Sequence, residues 1–326
     1  MYGNGLPPQN ENHQRPINVS MMISSLLSPF IYMFTNTFRV TLTVFILFFT
    51  LFAPDAFALS FTSKRTKNIP YKAATTPDFS AEKHVLDVYR PNKKSDKPYP
   101  VVVFIHGGNW NSGNKNIYWF VGRRLASQGV VAVVINYRLA PTVQVPAMAN
   151  DCAQAVAWTS QHIADYGGDP NRIYVMGHSA GGGLAALLAT DDDLFTRIGL
   201  VKNPVKGAIL NDPAGINMYD YLKKMEFPTD KQYLASFGTD PESWRSVSPL
   251  FSVKASAPPM LLYAGEKTYP SIIGGAEAMH KKLTSLGIKS QYTVIPGKEH
   301  VPMMKQLFWK RNLIYRETLA FINNPG

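Results

Sequence analysis

The chain has 326 residues, 45% hydrophobic and 17% charged, a balance that supplies a sizeable core and excludes a disordered polyelectrolyte. Its net charge of +11 is carried by scattered lysines and arginines, grouped only briefly as in Lys64-Arg65, Lys93-Lys94 and Lys281-Lys282. No basic stripe points to nucleic acid, so the charge reads as a solvated surface. The single cysteine, Cys152, excludes an internal disulfide and a cysteine-based metal cluster; among apolar neighbours on a predicted helix it reads as a small buried hydrophobe.

In chain order, residues 1–32 form a polar, Asn/Pro-rich extension. A charge-free apolar run from Thr41 to Ala53 follows, with Arg39 before it and Ala56-Phe57-Ala58 after it. Basic flank, short apolar run and small-x-small site read as a secretory signal peptide over 33–58, with Met33 as its start. The run falls short of the roughly 20 residues that a membrane span needs. The expectation is an exported protein, periplasmic or secreted, that begins near Leu59 and keeps no stable membrane insertion. The alternative is an uncleaved N-terminal anchor. Arg15 and Arg39 balance Glu11 and Asp55, so the part from Leu59 onward keeps the whole net charge.

Phe61 to Phe79 shows little periodicity and several breakers, and reads as a leader onto a single domain over 59–326. His84–Arg90 alternates like a strand. Val101–Ile105 and Val130–Ile135 are continuous β-branched runs, as in strands buried on both faces. Residues 117–128 and 150–166 read as helices, each closed by glycine. Arg172–Met176 is a further strand and Gly182–Ala189 a helix of small and apolar residues. Val205–Leu210, Pro259–Ala264 and Ser290–Ile295 are strands, with helices at 272–286 and roughly 302–323. Strands alternating with helices predict an α/β domain: a mainly parallel sheet covered on both faces. Residues 216–257 interrupt the alternation with short helical patches and many aromatic and Met residues.

Between the 172–176 strand and its helix lies Gly177-His178-Ser179-Ala180-Gly181. Strand, G-x-S-x-G and helix are the setting of a nucleophile elbow, in which a sharp turn lifts the serine hydroxyl clear of the sheet. The plainer alternative is a Gly-rich turn whose serine caps a helix. His106-Gly107-Gly108-Asn109-Trp110 and Asn136-Tyr137-Arg138-Leu139-Ala140-Pro141 each follow a buried strand, and His300 follows the last one. A phosphate-loop reading of Gly108–Gly113 fails, because no Lys-Ser/Thr follows.

Those four features, in that order over about residues 80–322, resemble an α/β-hydrolase. The style is that of the hormone-sensitive-lipase-like esterases and the bacterial carbohydrate-esterase-like group. The resemblance implies an α/β-hydrolase fold with a small lid insertion at about 216–257. It also implies a serine-dependent carboxylic-ester hydrolase that works through an acyl-enzyme on a small acyl or aryl ester. An amide or arylformamide hydrolase of the same fold, and a non-catalytic binding protein, are the alternatives. Ser179 would be the nucleophile and His300 the base, with His178 and His280 structural. Backbone N–H groups of Gly108, Asn109 and Ala180 would form the oxyanion hole, and His106 would brace its loop. The family often has glycine where this chain has Asn109 and Trp110. No metal, organic cofactor, nucleic acid or further partner is implied beyond the small ester, and the sequence sets no oligomeric state.

The acid departs from the family pattern. Its usual slot, the third position after the glycine of the loop following the penultimate strand, holds Thr268. Asp212, directly after the preceding strand, is the leading candidate, and Glu266 in the usual loop is the alternative. Glu299 adjoins His300 and is poorly placed, Asp220 remains, and Asp191–Asp193 reads as a solvated helix end. Met218, Tyr219, Tyr221, Met225, Phe227, Tyr233, Phe237 and Trp244 either line a substrate site or pack the insertion onto the body. With Trp110 and Trp119 they would suit a small acyl or aryl group.

Overall fold

The computed structural model of the chain describes residues 63–324 except 94, 226 and 227. The expected extension and signal peptide, and Phe227, lie outside the described residues. Among those described, no helix is long and apolar enough to cross a membrane.

The strands are β1 (Ser63–Pro70), β2 (Val85–Pro91), β3 (Tyr99–Ile105), β4 (Val131–Ile135), β5 (Gly168–Ser179), β6 (Val205–Pro213), β7 (Met260–Gly265) and β8 (Ser290–Ile295). They form one sheet in the order β1-β2-β4-β3-β5-β6-β7-β8, antiparallel at β1/β2 and β2/β4 and parallel from there on. The principal helices are α1 (Trp119–Ala126), α2 (Val145–His162), α3 (Ala180–Thr190), α4 (Pro270–Ser285), α5 (His300–Lys305) and α6 (Leu313–Asn323).

Continuous apolar strands are buried on both sides because successive side chains point to opposite faces. Val101, Val103 and Ile105 join a core with α2, α3 and α4, whereas Val102 and Phe104 join a second core with α1, α5 and α6. The insertion, a series of short helices between β6 and β7, packs on the first face through Ile216, Met218, Leu222, Phe237 and Trp244. Trp119 packs against the second core, on the face away from the insertion, so it does not join Trp110 as expected.

Two further expectations are corrected. The leader over 61–79 contains β1, which pairs with β2 from Ser63↔Pro91 to Pro70↔Val85. It is an edge strand rich in exposed Lys, Thr and Asn, so the apolar alternation that flags a strand is absent. The terminal helix is broken into α5, a 3₁₀ turn at Gln306–Phe308, and α6. Asn312 makes the break: its Oδ1 accepts from the Tyr315 N–H at 3.0 Å, and its Nδ2 donates to the carbonyls of Gln306 and Trp309. That is an N-cap in mid-segment. Helix α2 begins at Val145, five residues before the expected start, with Pro146 in the first turn where its missing N–H costs nothing.

Candidate active site

Three parallel strands deliver their functional residues to one end of the sheet. Ser179 terminates β5, Asp212 is the penultimate residue of β6, and His300 opens α5 after β8. Carboxyl ends of parallel strands are where open α/β sheets build their sites.

Ser179 has φ 57° and ψ −127°, a region costly for a residue with a Cβ. The turn survives because its flanks are glycine: a Cβ on Gly177 would lie 2.1 Å from the Gly181 carbonyl oxygen, and one on Gly181 would lie 2.2 Å from that of Ile105. The turn presents Ser179 Oγ to His300 Nε2 at 2.8 Å, and His300 Nδ1 lies 2.5 Å from Asp212 Oδ2. Asp212 is fully buried. Its Oδ1 accepts from the Gly265 N–H at 2.8 Å, and its Oδ2 also accepts from the Thr268 hydroxyl at 2.5 Å. Each His300 nitrogen thus has one task, a proton acceptor facing Ser179 and a donor facing a carboxylate.

The other carboxylates are elsewhere. Glu266, the alternative acid, is exposed and accepts from the Gly297 N–H at 2.6 Å. Glu299 caps α5 with its carbonyl and faces solvent. Asp220 pairs with Asn217 in the insertion, and Asp191 caps the end of α3. None of the four is hydrogen-bonded to His300 among the described residues.

The loop after β3 lies against the elbow, where a Cβ on Gly107 would meet the His178 carbonyl oxygen at 2.7 Å. Gly108, Asn109 and Trp110 have φ of 130°, 55° and 58°, an unusual succession for two residues with side chains. Hydrogen bonds from several sides hold it. The Gly108 carbonyl accepts from the N–H groups of Asn111 and Ser112, and the Ala140 N–H donates to the Trp110 carbonyl at 2.9 Å. The Tyr137 hydroxyl donates to the His106 carbonyl at 2.9 Å, and Asn136 Oδ1 accepts from the Lys115 N–H at 2.6 Å. This gives the Asn136–Pro141 motif its purpose: it is the buttress of the Gly108 loop. The N–H groups of Gly108 and Asn109 have no acceptor among the described residues, and that of Ala180 belongs to the open first turn of α3.

His106 stacks between Tyr137 and Tyr118, with ring centroids 4.4 and 6.0 Å away, and its Nδ1–H donates to the Gly107 carbonyl at 2.8 Å. Burial pushes its pKa down to about 4, so it braces the loop as a neutral ring. His178 is also buried and neutral: burial, and then the charge His300 would carry, lower its pKa to about 4. Its Nε2–H donates to the His300 carbonyl at 3.1 Å. His280 bonds Ser290 Oγ at 3.0 Å from mid-helix. His178, Asp212 and His300 could bring ligand atoms within 4.8 Å of one another, as a metal would require. Both His300 nitrogens and His178 Nε2 are already engaged by protein atoms, so the group is a hydrogen-bonded chain. Trp110 meets Phe237 and Tyr233 of the insertion edge-on, at 4.9 and 6.0 Å, so these aromatic residues pack the insertion onto the body.

Sequence reasoning left two functional contacts unread. Thr268 was visible only as a missing acid, because its role depends on which carboxylate stands opposite. His178 occupies the variable position of the pentapeptide, and nothing in the sequence connects it to a residue 122 positions away.

Comparison with known proteins agrees with this geometry. The BD-FAE family model matches residues 86–283. The chain is similar to esterase LipC of Mycobacterium tuberculosis, at 30% identity over 66% of this chain and 56% of that protein. It is also similar to kynurenine formamidase of Danio rerio, at 26% identity over 81% of this chain and 87% of that protein. The chain spans 49% and 60% of the first two curated relatives it matches, about half their length. Among solved structures, esterase B from Lactobacillus rhamnosis superposes with a TM-score of 0.67 at 22% identity, covering 80% of this chain and 87% of that one. This likeness identifies the α/β-hydrolase fold.

Proposed function

The chain belongs to the BD-FAE family, and from that premise we propose that it is a serine-dependent carboxylic-ester hydrolase acting through an acyl-enzyme on small acyl or aryl esters. The observation that carries the reading is the unbroken hydrogen-bonded chain from Ser179 through His300 to Asp212. A serine hydroxyl is a weak nucleophile until a base takes its proton. In this reading His300 Nε2 takes that proton as Ser179 Oγ attacks the ester carbonyl. Asp212 orients the ring and stabilises the imidazolium without becoming protonated itself. The N–H groups of Ala180, Gly108 and Asn109 receive the oxyanion, each such donor being worth roughly 10²–10³ in rate. His300 then returns the proton to the leaving alcohol, and water repeats the sequence on the acyl-enzyme.

The test is turnover of short p-nitrophenyl esters, together with labelling by a fluorophosphonate probe, in the wild type and Ser179→Ala. Turnover and labelling by the wild type alone support the reading; a wild type that shows neither overturns it. Asp212→Asn is expected to lose about 10⁴ in kcat, and Glu266→Gln to keep wild-type activity. The reverse pattern would transfer the acid role to Glu266.

The similarity to a formamidase over 87% of that protein's length supports a second reading, hydrolysis of an arylformamide by the same residues. Parallel assays on an aryl ester and an aryl formamide separate the two. A non-catalytic binding role drew on the threonine in the usual acid slot; Asp212 on His300 removes that support. Export is also proposed, on residues 33–58: the N-terminus of the protein made in cells is expected near Leu59, and an intact Met1 would exclude it.

A further inference from the structure

Asp212 Oδ2 accepts two hydrogen bonds, one from His300 Nδ1–H and one from the Thr268 hydroxyl, each 2.5 Å long. Position 268 therefore stands no more than two hydrogen-bond lengths from the imidazole nitrogen that the acid serves. The loop carrying Thr268 is also fixed. Its N–H donates to the Gly265 carbonyl at 3.2 Å, and the Lys267 N–H donates at 2.8 Å to the carbonyl of Lys298, two residues before His300.

We propose that Thr268 is a positioning residue for the hydrolysis, holding Asp212 Oδ2 against His300 Nδ1. The Gly265 N–H fixes the far carboxylate oxygen, and the Thr268 hydroxyl stops the near one from rotating off the imidazole. This inference rests on the hydrolase reading above and deepens it.

The test uses the full chain and three variants: Thr268→Val, Thr268→Ser and Asp212→Asn. A hydrogen bond to a charged group governs roughly ten- to hundredfold in an equilibrium. Thr268→Val is therefore expected to lower kcat about ten- to hundredfold with KM unchanged, and Thr268→Ser to restore it. Asp212→Asn is expected to lose about 10⁴. The low-field proton resonance of His300 Nδ1–H, which needs no turnover, should be present in the wild type and Thr268→Ser, broadened by exchange in Thr268→Val and absent in Asp212→Asn. Wild-type kcat and an unchanged resonance in Thr268→Val overturn the positioning role. Absence of turnover and of Ser179 labelling in the wild type would sink the hydrolase reading, and the resonance would still report on Thr268, Asp212 and His300.

Discussion

His178 lies face to face with His300, ring centroids 4.8 Å apart and planes 29° from parallel, and its Nε2–H holds the His300 carbonyl at 3.1 Å. The residue beside Ser179 therefore anchors the backbone of His300. His178→Ala removes both the donor and the stacking partner. A neutral hydrogen bond is worth about 0.5–1.5 kcal/mol, so kcat is expected to fall roughly tenfold, with KM little changed. Steady-state kinetics on a p-nitrophenyl ester measures this, and a wild-type kcat would remove His178 from the machinery.

Acid stability follows from two buried imidazoles whose pKa values are lowered. His106 and His178 both fall from the usual 6.5 to about 4, chiefly through burial. Between those values the unfolded chain binds protons that the folded one refuses. Stability is therefore intact above pH 6.5 and is lost progressively as pH falls toward 4, by about 3 kcal/mol from His106. Urea unfolding across this window measures the slope, and His106→Asn should flatten it. An equal slope in the variant would show that other groups dominate.

Tyr269 is the aromatic residue best placed to meet a leaving group. The residue is 60% exposed, and its ring stands edge-on to His300, 5.3 Å away. In the proposed reaction the base hands its proton to the departing alcohol, and this ring flanks the base. Tyr269→Ala is expected to raise KM for aryl esters by about three- to tenfold, from aromatic contact energies of about 0.5–1.5 kcal/mol, and to spare methyl esters. As an exposed substitution it should shift stability by no more than about 0.5 kcal/mol. Equal effects on aryl and methyl esters would dismiss the contact.

Lys115, 1% exposed, pairs with buried Asp87 at 2.8 Å and donates to Asn68 Oδ1 at 2.6 Å. Asp87 is shared with Arg65, so this cluster ties β1 and β2 to the loop that carries Gly108. Lys115→Met breaks a buried pair and is expected to cost about 3–5 kcal/mol of stability by denaturant unfolding. A loss under about 1 kcal/mol would place the pair with surface ion pairs.

What could be read from the sequence follows from where each signal resides. The β-branched runs of β3, β4 and the core of β5 announce themselves because burial on both faces forces a continuous apolar stretch. The elbow does so because glycine alone permits the approach at residues 177 and 181. Strand β1 hides because an edge exposes its side chains, and pairing with β2 leaves no trace in composition. The break before α6 hides because Asn312 resembles any polar helix residue until its cap geometry is seen. In the sequence Asp212 leads Glu266 only narrowly, since each follows an apolar strand run and only the positive φ of Asp212, at the end of β6, directs one carboxylate onto His300. Trp110 and Trp119 are nine positions apart, yet the chain between them passes from one face of the sheet to the other.

Six non-glycine residues among those described have positive φ, and Asn109, Trp110, Ser179 and Asp212 are four of them. Such conformations cost on the order of 1–3 kcal/mol each, so the conformations on which the proposed chemistry depends are also the ones that weaken the fold. Glycine would relax every one of these positions and disable those whose side chains react. A search for heat-resistant variants that never measures turnover would thus select against the chemistry, gathering robust and inert proteins with glycine at 179 or 212. The same drift awaits any copy of the gene that is no longer required to act on its substrate.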